Sequence, residues 1–406
     1  MRILFVSQYF YPENFSNNKI VKDLVERGHD VTVLCGIPNY PEGRFFDGYG
    51  FFRKKKEDFF GAKIERVSLI PRGSSGVQLA VNYASFAVTG SWKALFMKFN
   101  QYDVIFCSAL SPITIALPAM VAAWKTKAPC FLWVQDVWPH TPLEMLGLKS
   151  PFVKKPLEIL CRWIYGAHND ILVPSLGYVD PIKLYASLNT RFHFFPNSIE
   201  EFHKPLPRTG VLARKLGITD KAFVVVYAGN IGVAQNAGVV VDAAALLKDA
   251  SIHFVFLGEG RDKARIEKTV VDGDLEDQFH FLGEVSPEEV VEILAEADAA
   301  VLTLADQPVF HLTAPYRLQS YLGCGKLVLG SVGGESARII EEANCGFVSP
   351  PGSAEKLAIN IARAKNSTQE ERQFKEKNAR AYALTHYQQG RVMDALEELM
   401  LQQNKD

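Results

Sequence analysis

Short apolar runs alternate with helix-period stretches twice along this chain, and that alternation restricts the fold more than any other feature. RILFVS, near the start, has the continuous apolar character of a strand buried on both faces. KIVKDLVERGH follows, with Ile20, Val21, Leu24 and Val25 at helical spacing and a stop at Gly28. DVTVLCG is a second buried strand, and AKIERVSLI, VIFCSA, PCFLWVQD and NDILVPS continue the series. The alternation pauses from Ile199 to about Asp220, where Pro205, Pro207, Gly210 and mixed charge read as an interdomain linker with a short helix. It resumes at AFVVVYAGNIG and runs through IHFVFLGEG, QFHFLGEV, AAVLTLA, LVLGSV and GFVSPPG, with helical stretches between them. Strand–helix–strand units of this kind predict parallel sheets covered on both faces, hence two doubly wound α/β domains in series. Ligands of such sheets bind at the carboxyl ends of the strands, and with two domains the expected site is the cleft between them. The last amphipathic stretch, GRVMDALEELMLQQ, is expected to pack against either domain.

Composition narrows the function classes. A chain of 406 residues with 48% apolar residues has enough material for two cores, and 44 Lys+Arg against 45 Asp+Glu gives no general attraction to nucleic acid. The six cysteines form no C-x-x-C pair and mostly sit in apolar runs, so buried free thiols are expected rather than a zinc site. MRILFVSQYF has one basic residue and a short apolar run broken at Tyr11-Pro12, unlike a signal peptide. Val104 to Trp124 is long and uncharged enough to span a bilayer, but Pro112 and Pro118 interrupt it, and it reads as a buried strand followed by a loop and a buried helix.

Three segments at predicted strand ends of the second domain could hold an anion. YAGNIGVAQN contributes Gly229, Asn230, Gly232 and Gln235; FLGEGR contributes Gly258, Glu259, Gly260 and Arg261; TAPYRLQSYLGCGK contributes Tyr316, Arg317 and Gln319. Glycine lets backbone N–H groups approach a ligand, a helix start favours negative charge, and an arginine fork can grip phosphate. The competing reading of each loop alone is a tight strand–helix turn that uses glycine for steric reasons. In the third segment Thr313 is expected to cap the helix, Pro315 to enter its first turn and Gly325 to follow its end. Asp272-Gly273-Asp274 resembles a metal–diphosphate motif but follows a helix, which places it at the opposite sheet edge as a solvated turn.

The first domain offers polar and aromatic loops suited to a hydroxylated ligand. QYFYPENFSNN supplies Tyr11, Glu13, Ser16 and Asn17, and GIPNYPEGR supplies Asn39. VQDVWPHT places Asp136, Trp138 and His140 at the end of an apolar strand, and Asp136 is the acid/base candidate, with a turn or cap aspartate as the alternative. In GYGFFRKKKEDFF the basic run Arg53–Lys56 is interleaved with aromatics, and Val77 to Phe99 is strongly apolar with Lys93 and Lys98 late in it. This pattern suits an anionic membrane surface; the alternative is a charged loop beside a buried helix.

Taken in order, SQYFYPENF, LVERGHDVTVL, GIPNYPEG, VQDVWP, YAGNIGVAQ and RLQSYLGCGK resemble the family 4 glycosyltransferases of bacterial surface polysaccharide assembly. The likeness is to the branch that transfers N-acetyl-L-fucosamine or related amino sugars in O-antigen and capsule synthesis. It implies a GT-B architecture: an acceptor-binding Rossmann-like domain over residues 1–200, a nucleotide-sugar domain over 201–385, and a final helix over 386–406 that returns to the first domain. It also implies retention of configuration, no metal and no cofactor beyond a UDP-sugar donor. The implied acceptor is a polyprenyl-diphosphate-linked saccharide, met by a peripheral enzyme on the inner face of the cytoplasmic membrane. Asp136 and Arg317 would then be catalytic. The chain departs from the family pattern at Leu312 and Ser320, where many members carry glutamates, and at Gln235, where a lysine is usual. Asp136 stands at or near the position of a usual histidine, and Arg317 keeps the charge of the branch's lysine. The rival enzyme on the same fold is a UDP-sugar 2-epimerase, which needs no acceptor.

Overall fold

The computed structural model describes residues 1–73, 75–145, 147, 150–219 and 221–403; Asp220, at the end of the expected linker, lies outside them. The chain divides into one unit formed by Met1–Pro196 with Val392–Asp406 and a second formed by Asn197–Arg391.

The first unit is built on strands β1 (Arg2–Val6), β2 (Asp30–Gly36), β3 (Lys56–Phe59), β4 (Ala62–Val67), β5 (Val104–Ala109), β6 (Cys130–Val134), β7 (Asp170–Val173) and β8 (Arg191–Phe194). Their order in the sheet is β3-β4-β2-β1-β5-β6-β7-β8. All neighbours are parallel except β3 and β4. β5 is buried at every residue, which explains its unbroken apolar run. The segment that tested the membrane reading is therefore β5, a short turn and the helix Ala116–Thr126. No described helix is long and apolar enough to cross a membrane. Val392, Met393, Leu396 and Met400, on the last helix, pack into the core beside Ile3, Phe5, Val31 and Trp133.

The second unit holds β9 (Phe223–Ala228), β10 (Ile252–Leu257), β11 (Phe279–Gly283), β12 (Ala299–Thr303), β13 (Val328–Ser331) and β14 (Gly346–Ser349), all parallel, in the order β11-β10-β9-β12-β13-β14. Two apolar clusters cover its faces, one with Val226, Leu302 and Tyr321 and the other with Val225, Tyr227 and Val301, so successive residues of β9 enter opposite cores. Ser286 and Glu289 form a reciprocal cap at the start of the helix Pro287–Glu296, as Thr368 and Glu371 do for Gln369–His386.

In each sheet the strand order reverses at one place, between β1 and β5 in the first unit and between β9 and β12 in the second. Loops diverge there and leave a crevice outside the strand ends.

Several local expectations change. The stretch read as a loop after β1 is already helical at Ser16, which opens the helix Ser16–Glu26. Lys56–Phe59 is a strand on the sheet edge and not part of a charged loop: Lys56 and Asp58 are exposed, while Glu57 turns in to pair with the buried Arg66 and Phe59 is buried. Thr313 does not cap the helix Tyr316–Gly323; its hydroxyl turns back to the Phe310 carbonyl, and Pro315 holds the N-cap place. Gly325 does follow the helix end with φ 64°, the left-handed conformation that suits glycine.

Candidate functional site

In the second unit, the loops after β9 and β10 cross closely. The Ile231 N–H donates to the Glu259 carbonyl at 2.8 Å, and the Asp262 N–H returns to the Ile231 carbonyl at 3.0 Å. A Cβ on Gly258 would lie 2.3 Å from the Gly229 oxygen, and one on Gly260 would lie 2.1 Å from the Ile231 oxygen. Those two glycines are required by loop packing, because any side chain there would meet the neighbouring loop's backbone. Glu259 is engaged by Lys263 at 2.6 Å, and Arg261 is exposed.

Gly229 is different. Its φ is 137°, and a Cβ there would touch the Arg317 side chain at 3.5 Å. The guanidinium of Arg317 lies 4.9 Å above the ring of Tyr227, whose hydroxyl donates to the Asn230 carbonyl at 2.7 Å. Arg317 Nη1 is buried without a hydrogen-bond partner, and Arg317 has no ion pair among the described residues. The same helix is tied to the sheet by Tyr321, whose hydroxyl oxygen accepts from the Ala228 N–H at 2.9 Å. Across Gly232, Asn230 donates to the Gln235 side-chain oxygen at 3.1 Å, and Thr303 donates to the Gln235 carbonyl at 2.6 Å. The sequence-predicted residues 229, 230, 232, 235 and 317 thus meet at the β9 end beside the switch point. Gln319 is buried with its Oε1 unpartnered, whereas Tyr316 is on the surface against the edge of His203.

Sequence reasoning missed the turn after β13. Gly334 has φ 58°, and a Cβ there would lie 1.9 Å from the His311 carbonyl oxygen. It opens the helix Gly334–Glu342. The available signal was the Gly333-Gly334 pair directly after LVLGSV.

In the first unit, the loops after β1, β2 and β6 carry the other candidates. Glu13 is buried, and its carboxylate accepts the N–H groups of Phe10, Asn39 and Tyr40 at 3.2, 2.8 and 2.8 Å. Burial nevertheless dominates and pushes its pKa up to about 7. Asn17 is fully buried and donates to Ser7 Oγ and the Tyr9 carbonyl while accepting from Ser108 Oγ. Asn39 donates to the Ile37 carbonyl and accepts from the Arg72 N–H. Glu13, Asn17 and Asn39, read from sequence as acceptor-binding, therefore serve inside the loop scaffold; Tyr11 and Ser16 remain exposed.

Asp136 lies two residues beyond β6. Burial pushes its pKa up to about 6, opposed by a hydrogen bond from Ser111, whose hydroxyl also accepts from the Trp138 indole at 3.2 Å. His140 opens a short helix with Nδ1 buried and unpartnered, and burial lowers its pKa. Sequence reasoning did not single out Arg72, whose guanidinium lies 5.1 Å from the Tyr40 ring and whose N–H donates to Asn39, or Tyr83, a neighbour of Tyr9 and Arg72.

Two Rossmann-like units in series, the second with a glycine-lined strand edge and an unpaired helix-borne arginine, make up a GT-B fold. Residues 211–381 match the family described as Glycosyl transferases group 1. WcaI of Escherichia coli (strain K12), named as a colanic acid biosynthesis glycosyl transferase, is 27% identical over 298 residues, which are 69% of this chain and 71% of WcaI. HepE from Anabaena, solved in complex with UDP, superposes with TM-score 0.73 at 16% identity, covering 99% of this chain and 100% of HepE. WaaG, a glycosyltransferase involved in lipopolysaccharide biosynthesis, gives TM-score 0.67 at 15% identity over 98% of this chain and 99% of WaaG.

Proposed function

We propose that this protein transfers an amino- or deoxy-sugar, with N-acetyl-L-fucosamine as the first choice, from a UDP donor to a polyprenyl-diphosphate-linked saccharide in O-antigen or capsule synthesis. The observation that carries this reading is Arg317: a cation without a carboxylate partner among the described residues, held over Tyr227 and against the bare backbone of Gly229. Departure of a nucleoside diphosphate leaves growing negative charge on its oxygens, and a preorganised arginine meets that charge. The UDP complex of HepE supports the choice of nucleotide, and the names of WcaI and WaaG support the choice of pathway class.

The reaction proceeds with retention and without a metal. The acceptor oxygen bonds to the anomeric carbon on the face from which the diphosphate leaves, and the leaving phosphate takes the acceptor proton. Asp136 orients the acceptor hydroxyl. Activity is expected to survive EDTA.

The protein works at an anionic membrane surface on the cytoplasmic side. Phe52 is 98% exposed beside exposed Arg53 and Lys56, while Lys54 and Lys55 are engaged by Glu57 and Ser68. On the helix Gly76–Ala94, Val77, Val81, Val88 and Trp92 are exposed at helical spacing, continued by Phe96 and Phe99. An apolar stripe beside basic residues is the arrangement of an interfacial helix. Mass spectrometry after incubation with UDP-sugars and a short lipid-diphosphate-linked saccharide tests the transfer. UDP-sugar alone tests the 2-epimerase alternative, which predicts an epimerised nucleotide sugar without acceptor.

A further inference from the structure

In the first unit another arginine, Arg72, has no ion pair among the described residues. Arg72 follows β4 and precedes the helix Gly76–Ala94. Its backbone is fixed by a polar chain: the Gln8 amide donates to Asn82 at 2.7 Å, Asn82 donates to Asn39 at 3.4 Å, and the Asn39 side-chain oxygen accepts the Arg72 N–H at 3.0 Å. Its guanidinium lies 5.1 Å from the ring centre of Tyr40 and has no ion pair or side-chain hydrogen bond among the described residues. Tyr9 packs edge-on against the same Tyr40 ring at 5.8 Å. Tyr9 is 97% buried, being 3% exposed, yet its hydroxyl has no partner of hydrogen-bond geometry, and the Tyr83 hydroxyl is its neighbour. Burial raises the pKa of both tyrosine hydroxyls, which stay protonated donors, and Arg72 lies near enough to both to oppose that shift in part. An unpaired cation beside hydroxyl donors, one of them buried and unsatisfied, is a set that an anion completes.

We propose that Arg72, with the hydroxyls of Tyr9 and Tyr83, is the subsite that grips the diphosphate of the acceptor. The class of ligand is a lipid-linked diphosphate, and the subsite is separate from the one formed by Arg317. This rests on the acceptor class proposed above, and it adds the residues that read it. The exposed apolar stripe of the helix begins at Val77, five positions beyond Arg72, so a diphosphate at the membrane surface would meet Arg72 where that stripe starts.

The test uses the full chain carrying Arg317→Gln, which disables the donor anion site, and titrates it with farnesyl diphosphate by calorimetry. The expected result is retained binding in this host and at least tenfold weaker binding when Arg72→Gln is added, with Arg72→Lys recovering part of the loss and Tyr83→Phe weakening binding by a few fold. Equal binding with and without Arg72→Gln overturns the proposal, as does complete loss of binding in the Arg317→Gln host. A loss shared equally by Arg72→Gln and Arg72→Lys, with lowered melting temperatures, also overturns the charge-reading role. Titration of the unaltered protein with UDP separately judges the donor reading, so the two can fail independently.

Discussion

The Arg317 guanidinium lies 4.9 Å above the Tyr227 ring, the arginine coming from a helix start and the tyrosine from the carboxyl end of β9, two residues before Gly229. The contact fixes the guanidinium beside a backbone that carries no side chain, and no acid competes for it among the described residues. Cation–π contacts are worth about 0.5–2 kcal/mol, rising with desolvation, and the Tyr227 ring is buried. The contact's use here is orientation, and its loss should be felt at a bound anion more than in folding.

The crossing of the β9 and β10 loops is steric, and it can be broken by one methyl group. Gly258→Ala places a Cβ 2.3 Å from the Gly229 carbonyl oxygen, at a residue whose φ is 121°. Neither loop can yield without losing the hydrogen bonds between them, so a destabilisation of about 1–3 kcal/mol is expected. Urea unfolding of the variant checks this; an unchanged midpoint would show that the loops separate freely.

Under the proposed function, Asp136 is expected to set an acid limb on activity. Its pKa is pushed up to about 6 by burial, so the ionised form accumulates as pH rises through that value. We expect kcat/KM to rise across the same window and Asp136→Asn to abolish the pH-dependent limb. A limb that persists in Asp136→Asn would assign it to another group.

Glu13 gives a stability signature of opposite sense from the usual carboxylate. Its pKa is raised to about 7 in the fold by burial, which outweighs three backbone N–H donors. The folded state therefore holds a proton that the unfolded chain has released, and stability falls as pH rises from the ordinary glutamate range through 7. Thermal melts between pH 6 and 7.5 should show this slope, and Glu13→Gln should flatten it. A wild-type melting temperature that rises with pH over that range would contradict the assignment.

Much of this was legible in the sequence, and the reasons are physical. Strands buried on both faces, such as VIFCSA and FVVVYA, announce themselves because every residue must be apolar. β8 and β3 did not, since each is a four-residue sheet-edge strand with mostly exposed or half-exposed positions and charged or polar residues among its aromatics. At the sites, glycine spacing located the β9 and β10 loops but could not say which glycines make room for a neighbouring loop. The polar residues after β1 and β2 were visible as a cluster. That Glu13, Asn17 and Asn39 turn inward depends on partners as distant in sequence as Ser108, which no local pattern encodes. Arg72 escaped notice because its significance lies in the absence of a counter-charge, a property of the fold alone.

The apolar stripe on the helix Gly76–Ala94 predicts membrane binding that one face controls. Trp92 is 65% exposed, and Phe96 continues the stripe. Replacing both with glutamate should cut co-sedimentation with phosphatidylglycerol vesicles by tenfold or more and leave the melting temperature unchanged, because neither side chain enters a core. High salt should weaken binding of the unaltered protein through its exposed lysines and arginines. Equal sedimentation of the double variant would place the contact elsewhere.

The most direct test of the account measures transfer itself in two proteins. The unaltered chain and Arg317→Ala are incubated with UDP-N-acetyl-L-fucosamine, related UDP-sugars and a lipid-diphosphate-linked saccharide, and products are weighed by mass spectrometry. The account predicts an acceptor heavier by one sugar residue, released UDP, and a loss of about 100- to 1000-fold in turnover for Arg317→Ala at an unchanged melting temperature. Near-normal turnover in Arg317→Ala, or an epimerised nucleotide sugar with no extended acceptor, would contradict it.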